Sequence, residues 1–172
     1  IIPSRLGSTR LQEKALKIIN GQPMICHVWS NALKADLGPV VVATDSEKIS
    51  SVIVSKGGNA ILTDPNHQSG SDRIYEALSK FDSNFSYDLI INLQGDMPNI
   101  IPETINNLID YMKKGECEIG TLASKISSNS ELDDKNVVKV VVKENLKPGM
   151  FVKALDFVRI NRIKEFKAYH HI

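Results

Sequence analysis

Four short apolar runs, separated by stretches with a helical period, constrain the fold more than any other feature of this chain. They are Ile1-Ile2, Val40-Val41-Val42-Ala43, Ala60-Ile61-Leu62 and Leu89-Ile90-Ile91-Asn92-Leu93. Continuous apolar runs of this length, without apolar/polar alternation, belong to strands buried on both faces, which is the signature of a parallel sheet. Between them, Ile25, Val28, Trp29, Ala32 and Leu33 recur at steps of three and four, predicting a helix from Met24 to Ala35 with Pro23 in its first turn. Asp45 or Ser46 can cap a helix running through Val54, with Asp45 expected to cap rather than face ligand, and Gly57-Gly58 ends that helix. Asp72 to Phe81 places Ile74, Ala77, Leu78 and Phe81 on one face, and Pro102-Glu103 opens a helix through Met112. Strands alternating with helices predict a doubly wound α/β fold, a mostly parallel sheet with helices on both faces. Val137 to Val142 and Ala154 to Arg159 read as further strands, in a less regular final third.

Composition mainly excludes. A chain of 172 residues, 42% hydrophobic and 24% charged, has the length and the apolar content for a packed core, so disorder is excluded. The net charge of +1 gives no global attraction to nucleic acid or to an anionic membrane, so anion binding must come from local placement. No apolar run approaches the roughly 20 residues of a membrane-spanning helix, and no signal-peptide pattern is present. Cys26 and Cys117 match no metal spacing and are expected to be buried free thiols in a reducing compartment, which points to the cytoplasm. The chain starts inside a strand without an initiator methionine and stops at His170-His171-Ile172. Residues 1–172 are therefore expected to be a single domain, incomplete at both ends.

In an open α/β sheet the ligand lies beyond the carboxyl ends of the strands, near the point where strand order reverses. Four loops are expected to converge there: Pro3 to Lys14, Thr44-Asp45, Asn66 to Arg73, and Gln94-Gly95-Asp96. The first combines Arg5, Arg10 and Lys14 with Gly7, Ser8 and Thr9, a set that can wrap backbone N–H groups and cationic donors around phosphates. Asp96 is a hard oxygen ligand at a strand end, suited to bringing Mg²⁺ to the same phosphates. A cationic loop beside a metal carboxylate suggests phosphoryl or nucleotidyl transfer, chemistry that rests on positioning and charge stabilisation rather than on a protein nucleophile.

Pro3-Ser4-Arg5-x-Gly7-Ser8-Thr9-Arg10-Leu11 followed by Lys14, Asn20-Gly21-Gln22-Pro23-Met24-Ile25, Ala43-Thr44-Asp45, His67 to Arg73 and Asn92-Leu93-Gln94-Gly95-Asp96 together resemble the 3-deoxy-manno-octulosonate (Kdo) cytidylyltransferase, or CMP-Kdo synthetase, family. The similarity runs from Ile1 to about Val142 and continues more weakly through Ala154-Leu155-x-Phe157-x-Arg159 to His171. The resemblance implies a nucleotide-diphospho-sugar transferase-like fold in a cytoplasmic, magnesium-dependent homodimer. It also implies transfer of CMP from CTP to Kdo, with release of pyrophosphate, for lipopolysaccharide synthesis. By position, Pro3, Ser4, Arg5, Ser8, Arg10 and Lys14 fall to the nucleotide and its phosphates, with Arg10 and Lys14 opposing charge that develops in the reaction. Ser71, Arg73, Gln94, Gly95 and Asp96 complete the implied nucleotide site. His67, Gln68, Arg73, Gln94, Arg159 and His171 fall to the sugar acid, and Asp96 to the metal. The anomeric hydroxyl of Kdo would attack the α-phosphate in line, helped by the metal rather than by a protein base.

The chain also departs from the family pattern. Met97 stands where the family has Glu after the Gly-Asp pair, which removes a carboxylate beside the expected metal ligand. Gln12-Glu13 replaces a proline-glycine pair ahead of Lys14, so the opening loop is expected to differ in shape. Asp156 and Val158 replace Tyr and Ser. The family's second metal aspartate and its remaining sugar-site and dimer segments fall beyond Ile172, so this stretch alone is expected to turn over slowly or not at all. Two other readings stand beside the first: a cytidylyltransferase for another sugar acid such as sialic acid, and a non-catalytic nucleotide-binding or assembly module. The His67 to Arg73 motif favours Kdo.

Overall fold

Pro3 and Ser4 are strand residues, not loop residues. In the computed structural model, which describes residues 1–7, 11–115, 117–159 and 167–172, β1 spans Ile2–Ser4 and all three of its residues are buried. The chain divides into two compact units, Ile1–Asn106 and Asn107–Ile172.

The first unit continues with a two-stranded hairpin, β2 (Ile18–Ile19) and β3 (Gln22–Pro23), then α1 (Met24–Lys34), β4 (Val41–Thr44), α2 (Glu47–Val54), β5 (Asn59–Leu62), α3 (Gly70–Phe81) and the start of α4 (Pro102–Met112). β1, β4 and β5 form a parallel sheet in that order, with Ile2 opposite Val42 and Thr44 opposite Leu62. Every residue of β4 is buried because helices cover both faces. Val42 packs with Ile25, Val28, Ile49 and Ile53 of α1 and α2. The period of two sends Val41 and Ala43 to the opposite face, where α3 contacts β4.

Local sequence explains the helix ends. Ser46, not Asp45, caps α2, its hydroxyl accepting the Ile49 N–H at 3.5 Å. Gly57 at φ 81° closes α2 with a paired turn in which Gly57 N–H donates to Val54 O and Gly58 N–H to Ile53 O. α3 starts two residues earlier than the apolar period indicates. Ser69 and Asp72 form a reciprocal capping box, so Gly70, Ser71, Asp72 and Arg73 make its first turn instead of belonging to the preceding loop.

The segment Leu89 to Leu93 is not the doubly buried strand its composition predicts. It runs along the free edge of β1, where Ile1 N donates to Ile91 O at 2.8 Å and Leu93 N–H to Ile1 O at 3.1 Å, the bond pattern of a parallel pair. The next donor on that edge is Pro3, which has no N–H, so the ladder stops after one pair. Leu93 is buried while Ile90 stays 41% exposed.

The second unit holds β6 (Ala123–Ser124), α5 (Asn129–Asp133), β7 (Lys139–Val142), β8 (Ala154–Val158) and β9 (Lys167–His171). Its sheet is antiparallel, in the order β6-β9-β7-β8. β7 is fully buried, Lys139 included, and the Lys139 ammonium is satisfied by the carbonyls of Asp134 and of Arg159, the latter at 2.9 Å. Cys26 is buried on α1, but Cys117 is exposed, because it follows α4 in a stretch without regular structure that offers no face to pack. Among the described residues, no helix is long and apolar enough to cross a membrane.

Candidate functional site

The chain leaves β1, builds β4 and β5 successively outward, and then returns through residues 91–93 to the other edge of β1. Strand order therefore reverses at β1, and the crevice past the carboxyl ends of β1 and of the 91–93 segment is where ligands bind in such sheets. The residues that follow these two segments are the opening loop and Gln94-Gly95-Asp96.

These two loops meet. Lys14 Nζ lies 2.7 Å from Asp96 Oδ2, and both side chains remain open to solvent, at 39% and 52% exposure. Lys14 begins a short 3₁₀ turn, Lys14–Leu16, entered through Glu13 in the left-handed region at φ 52°. That is the position where the resemblance has glycine. The loop thus keeps a glycine-like backbone without the glycine, and the Glu13 carboxylate is held by Lys48 at 2.8 Å. Gly95 lies directly against β1, and a Cβ there would stand 2.6 Å from the Pro3 carbonyl oxygen. Arg5 follows β1 and is exposed, with no ion pair among the described residues. Gln94 is exposed, its amide donating to Asn92 Oδ1 at 3.1 Å, and Met97 is half-buried. Ser8 and Arg10 lie outside the described residues.

Arg73 points inward. It is 3% exposed and donates to Thr63 Oγ1 through one guanidinium nitrogen and to Asp45 Oδ2 at 3.3 Å through the other. The other carboxylate oxygen of Asp45 accepts the Leu6 N–H at 3.1 Å. One guanidinium therefore ties α3, the ends of β4 and β5, and the opening loop together. Asp45 neither caps α2 nor stands open to ligand, and Arg73, expected at the nucleotide or the sugar, is committed to protein. The sequence gives no direct signal for this network, because its members lie 10 to 39 residues apart.

His67 and Gln68 sit in the turn before α3, and Ser71 is exposed on its first turn. Gln68 donates to Asn66 O at 2.9 Å. His67 Nε2 lies 2.5 Å from Glu76 Oε2, an oxygen that also accepts the Asp64 N–H at 2.9 Å. Lys80, one turn further along α3, holds Glu76 Oε1 at 2.6 Å. Lys80, the Asp64 amide and His67 together push the Glu76 carboxyl down to about 2. Glu76 was not legible as a site-related residue; its only sequence signal is the i,i+4 spacing to Lys80.

In the second unit, His171 ends β9 with Nε2 at 2.8 Å from Thr121 Oγ1 and its ring edge-on to Phe157 at 5.0 Å. Burial lowers its pKa, and the neighbouring His170 lowers it further. Arg159 is exposed, and its guanidinium donates to Lys135 O at 3.2 Å.

Among the described residues no three His, Cys, Asp or Glu side chains converge on a metal position. The donor set nevertheless fits Mg²⁺. This ion keeps much of its water and takes one or two carboxylates together with substrate phosphates, and Asp96 presents a solvent-open carboxylate beside a cationic loop.

Comparison with known proteins gives this geometry a family. The sequence pattern of the cytidylyltransferases matches residues 1–171. The 3-deoxy-manno-octulosonate cytidylyltransferase of Brucella ovis is 45% identical over 173 residues, covering all of this chain and 68% of that protein. The enzyme of the same name from Methylorubrum populi is 42% identical, again over the whole chain and over 69% of its own length. The solved structure of CMP:2-keto-3-deoxy-manno-octonic acid synthetase complexed with CTP superposes with a TM-score of 0.81 at 37% identity, over 99% of this chain and 69% of that one. A cytidylyltransferase structure from Leptospira borgpetersenii, at 22% identity and a TM-score of 0.58 over 72% of this chain and 51% of its own, shares the fold. With the α/β sheet, its switch point and the loops gathered there, these matches establish that the chain belongs to the cytidylyltransferase family of nucleotidyltransferases.

Proposed function

We propose that this protein transfers CMP from CTP to Kdo, giving CMP-Kdo and pyrophosphate, the activation step for lipopolysaccharide assembly. The observation that carries the reading is the meeting of Lys14 and Asp96 at the switch point of a chain 45% identical to an enzyme named for this reaction. We further propose that residues 1–172 belong to one nucleotidyltransferase domain, and that the enzyme works as a cytoplasmic homodimer with Mg²⁺.

In this reading the opening loop grips the triphosphate. Arg5 and Lys14, with Ser8 and Arg10, supply cationic and hydroxyl donors to the phosphate oxygens, while the buried Pro3 and Ser4 set the direction in which the loop leaves β1. Lys14 exchanges its contact with Asp96 for the phosphates, where its charge opposes the negative charge that builds on the departing pyrophosphate. Asp96 holds Mg²⁺, which supplies charge neutralisation at the phosphates. Gly95 lets the Gln94-Gly95-Asp96 turn sit against β1, and Ser71, exposed at the N-terminus of α3, adds a polar contact to the nucleotide. His67, Gln68 and Gln94 orient the sugar acid so that its anomeric hydroxyl oxygen bonds to the α-phosphorus as the bond to pyrophosphate breaks, the hydroxyl proton passing to solvent water. Arg73 serves from beneath, holding the loops through Asp45 and Thr63.

Pyrophosphate release by the full-length protein, which includes these 172 residues, supplied with CTP, Mg²⁺ and Kdo, tests the proposal. Release with Kdo supports it. Release only with another sugar acid overturns the acceptor, and no release with any acceptor overturns the catalytic reading.

A further inference from the structure

Glu76 makes three contacts that a surface helix residue does not need. Its Oε2 accepts both the Asp64 N–H, at 2.9 Å, and His67 Nε2, at 2.5 Å, while Oε1 meets Lys80. A carboxylate accepts only, so Nε2 of His67 must carry the proton. That leaves Nδ1 as the ring nitrogen with no protein partner among the described residues. His67 is also held at its backbone neighbours, because Asp64, pinned by Glu76, turns its own carboxylate to the Asn66 N–H at 2.7 Å. Both the loop and the ring are thus referred to one carboxylate on a rigid helix.

We infer that Glu76 is a positioning residue for the acceptor substrate: it fixes the orientation and tautomer of His67, so that Nδ1 is presented as an acceptor to a hydroxyl of the sugar acid. The inference rests on the proposal that His67 contacts that substrate. A buried or semi-buried imidazole whose second nitrogen is anchored by a carboxylate presents its free nitrogen in one direction and one protonation pattern. The contact favours an acceptor carrying a hydrogen-bonding group at one fixed place. CTP, held by the opening loop, is indifferent to it.

Steady-state kinetics of the full-length protein, with Kdo and CTP varied in turn, test this in four variants. His67→Ala is expected to raise KM for Kdo about tenfold, the usual effect of losing a hydrogen bond to a polar substrate group. Glu76→Ala is expected to do the same, with kcat and KM for CTP changing less than about twofold. Glu76→Gln, whose amide oxygen still accepts from Nε2 and from the Asp64 amide, is expected to recover most of the loss, and it preserves the test if Glu76→Ala fails to fold. Lys80→Ala removes an ion pair from Glu76 without touching His67, and it should leave KM for Kdo unaltered. In ¹⁵N spectra His67 is expected as the Nε2–H tautomer in the parent protein and as a mixture in Glu76→Ala. If His67→Ala leaves KM for Kdo unchanged, the role proposed for His67 falls, and this inference with it. If His67→Ala raises that KM and Glu76→Ala does not, only the inference falls. Equal losses in Glu76→Ala and Lys80→Ala, or a parallel rise in KM for CTP, reduce Glu76 to a general staple of the loop and overturn the assignment.

Discussion

Replacing Gly95 with alanine tests whether the site depends on the close approach of the Asp96 turn to β1. The added Cβ would stand 2.6 Å from the Pro3 carbonyl oxygen, against the 3.4 Å at which ordinary van der Waals contact begins, so turn or strand must give by about 0.8 Å. The obstacle is backbone rather than a flexible side chain, and Pro3 is fixed in register with Ala43 of the buried strand β4. Gly95 does not have a positive φ, so the whole cost is steric. Overpacking of this kind costs about 1–3 kcal/mol. The same displacement moves Asp96 relative to Lys14, and a misplacement of about 1 Å at a reacting centre costs on the order of 10²-fold in rate. Urea unfolding and pyrophosphate release with CTP and Kdo would measure both effects. Gly70 makes an informative comparison in stability: its added Cβ meets Pro3 side-chain atoms at 3.6 and 3.7 Å, ordinary contact distances, on the first turn of α3. Gly70→Ala is therefore expected to be neutral or slightly stabilising, since alanine is the better helix former. A Gly95→Ala protein as stable and active as its parent would refute the packing argument.

Asp96→Asn is expected to lower turnover by at least about 10²-fold while leaving the urea midpoint nearly unchanged, because an ion pair as exposed as Lys14–Asp96 contributes about 1 kcal/mol or less; retained Mg²⁺-dependent activity would remove Asp96 from the metal site. Arg73→Met strands Asp45 and Thr63 and is expected to destabilise the protein by about 3 kcal/mol, read in the same unfolding assay; a variant of unchanged stability and weakened CTP binding would show instead that Arg73 touches the nucleotide. Glu76 gives a pH signature. Its carboxyl is held at about 2, below the ordinary 4.5, so the folded state binds fewer protons than the unfolded one between those values. The stabilisation is complete above pH 4.5 and is lost as the pH falls toward 2, so Glu76→Gln is expected to flatten that part of the stability curve, and an unaltered acid limb would contradict the contacts seen.

The periodic parts of this fold were legible in the sequence. The runs at 40–43 and 60–62 and the helical faces of α1, α2 and α3 depend on local spacing, and β4, β5 and the three helices stand within one or two residues of those readings. The misreadings arise where a neighbour or a polar cap decides. Leu89 to Leu93 has the composition of a buried strand, but its partner edge ends at Pro3. Gly70 and Ser71 look like loop until Ser69 and Asp72 are seen to cap each other. The loop chemistry of Lys14 and Asp96 places both at one site, and the structure adds their direct ion pair. Arg73 could not be judged from the sequence, since a guanidinium suits a phosphate and a buried aspartate equally well, and only burial separates the two.

The Arg73 network also bears on motion. A loop that leaves the last residue of a strand would ordinarily sample its own conformations, independently of loops that start from other strands. Here the Leu6 amide hangs on Asp45, Asp45 on Arg73, and Arg73 on the helix that follows the His67 turn. The opening loop and the His67 turn therefore share a mechanical anchor, and a fluctuation that frees one loosens the other. The Leu6 amide proton reports that anchor directly, and its exchange with solvent is expected to follow the opening of α3 rather than the fraying of its own loop.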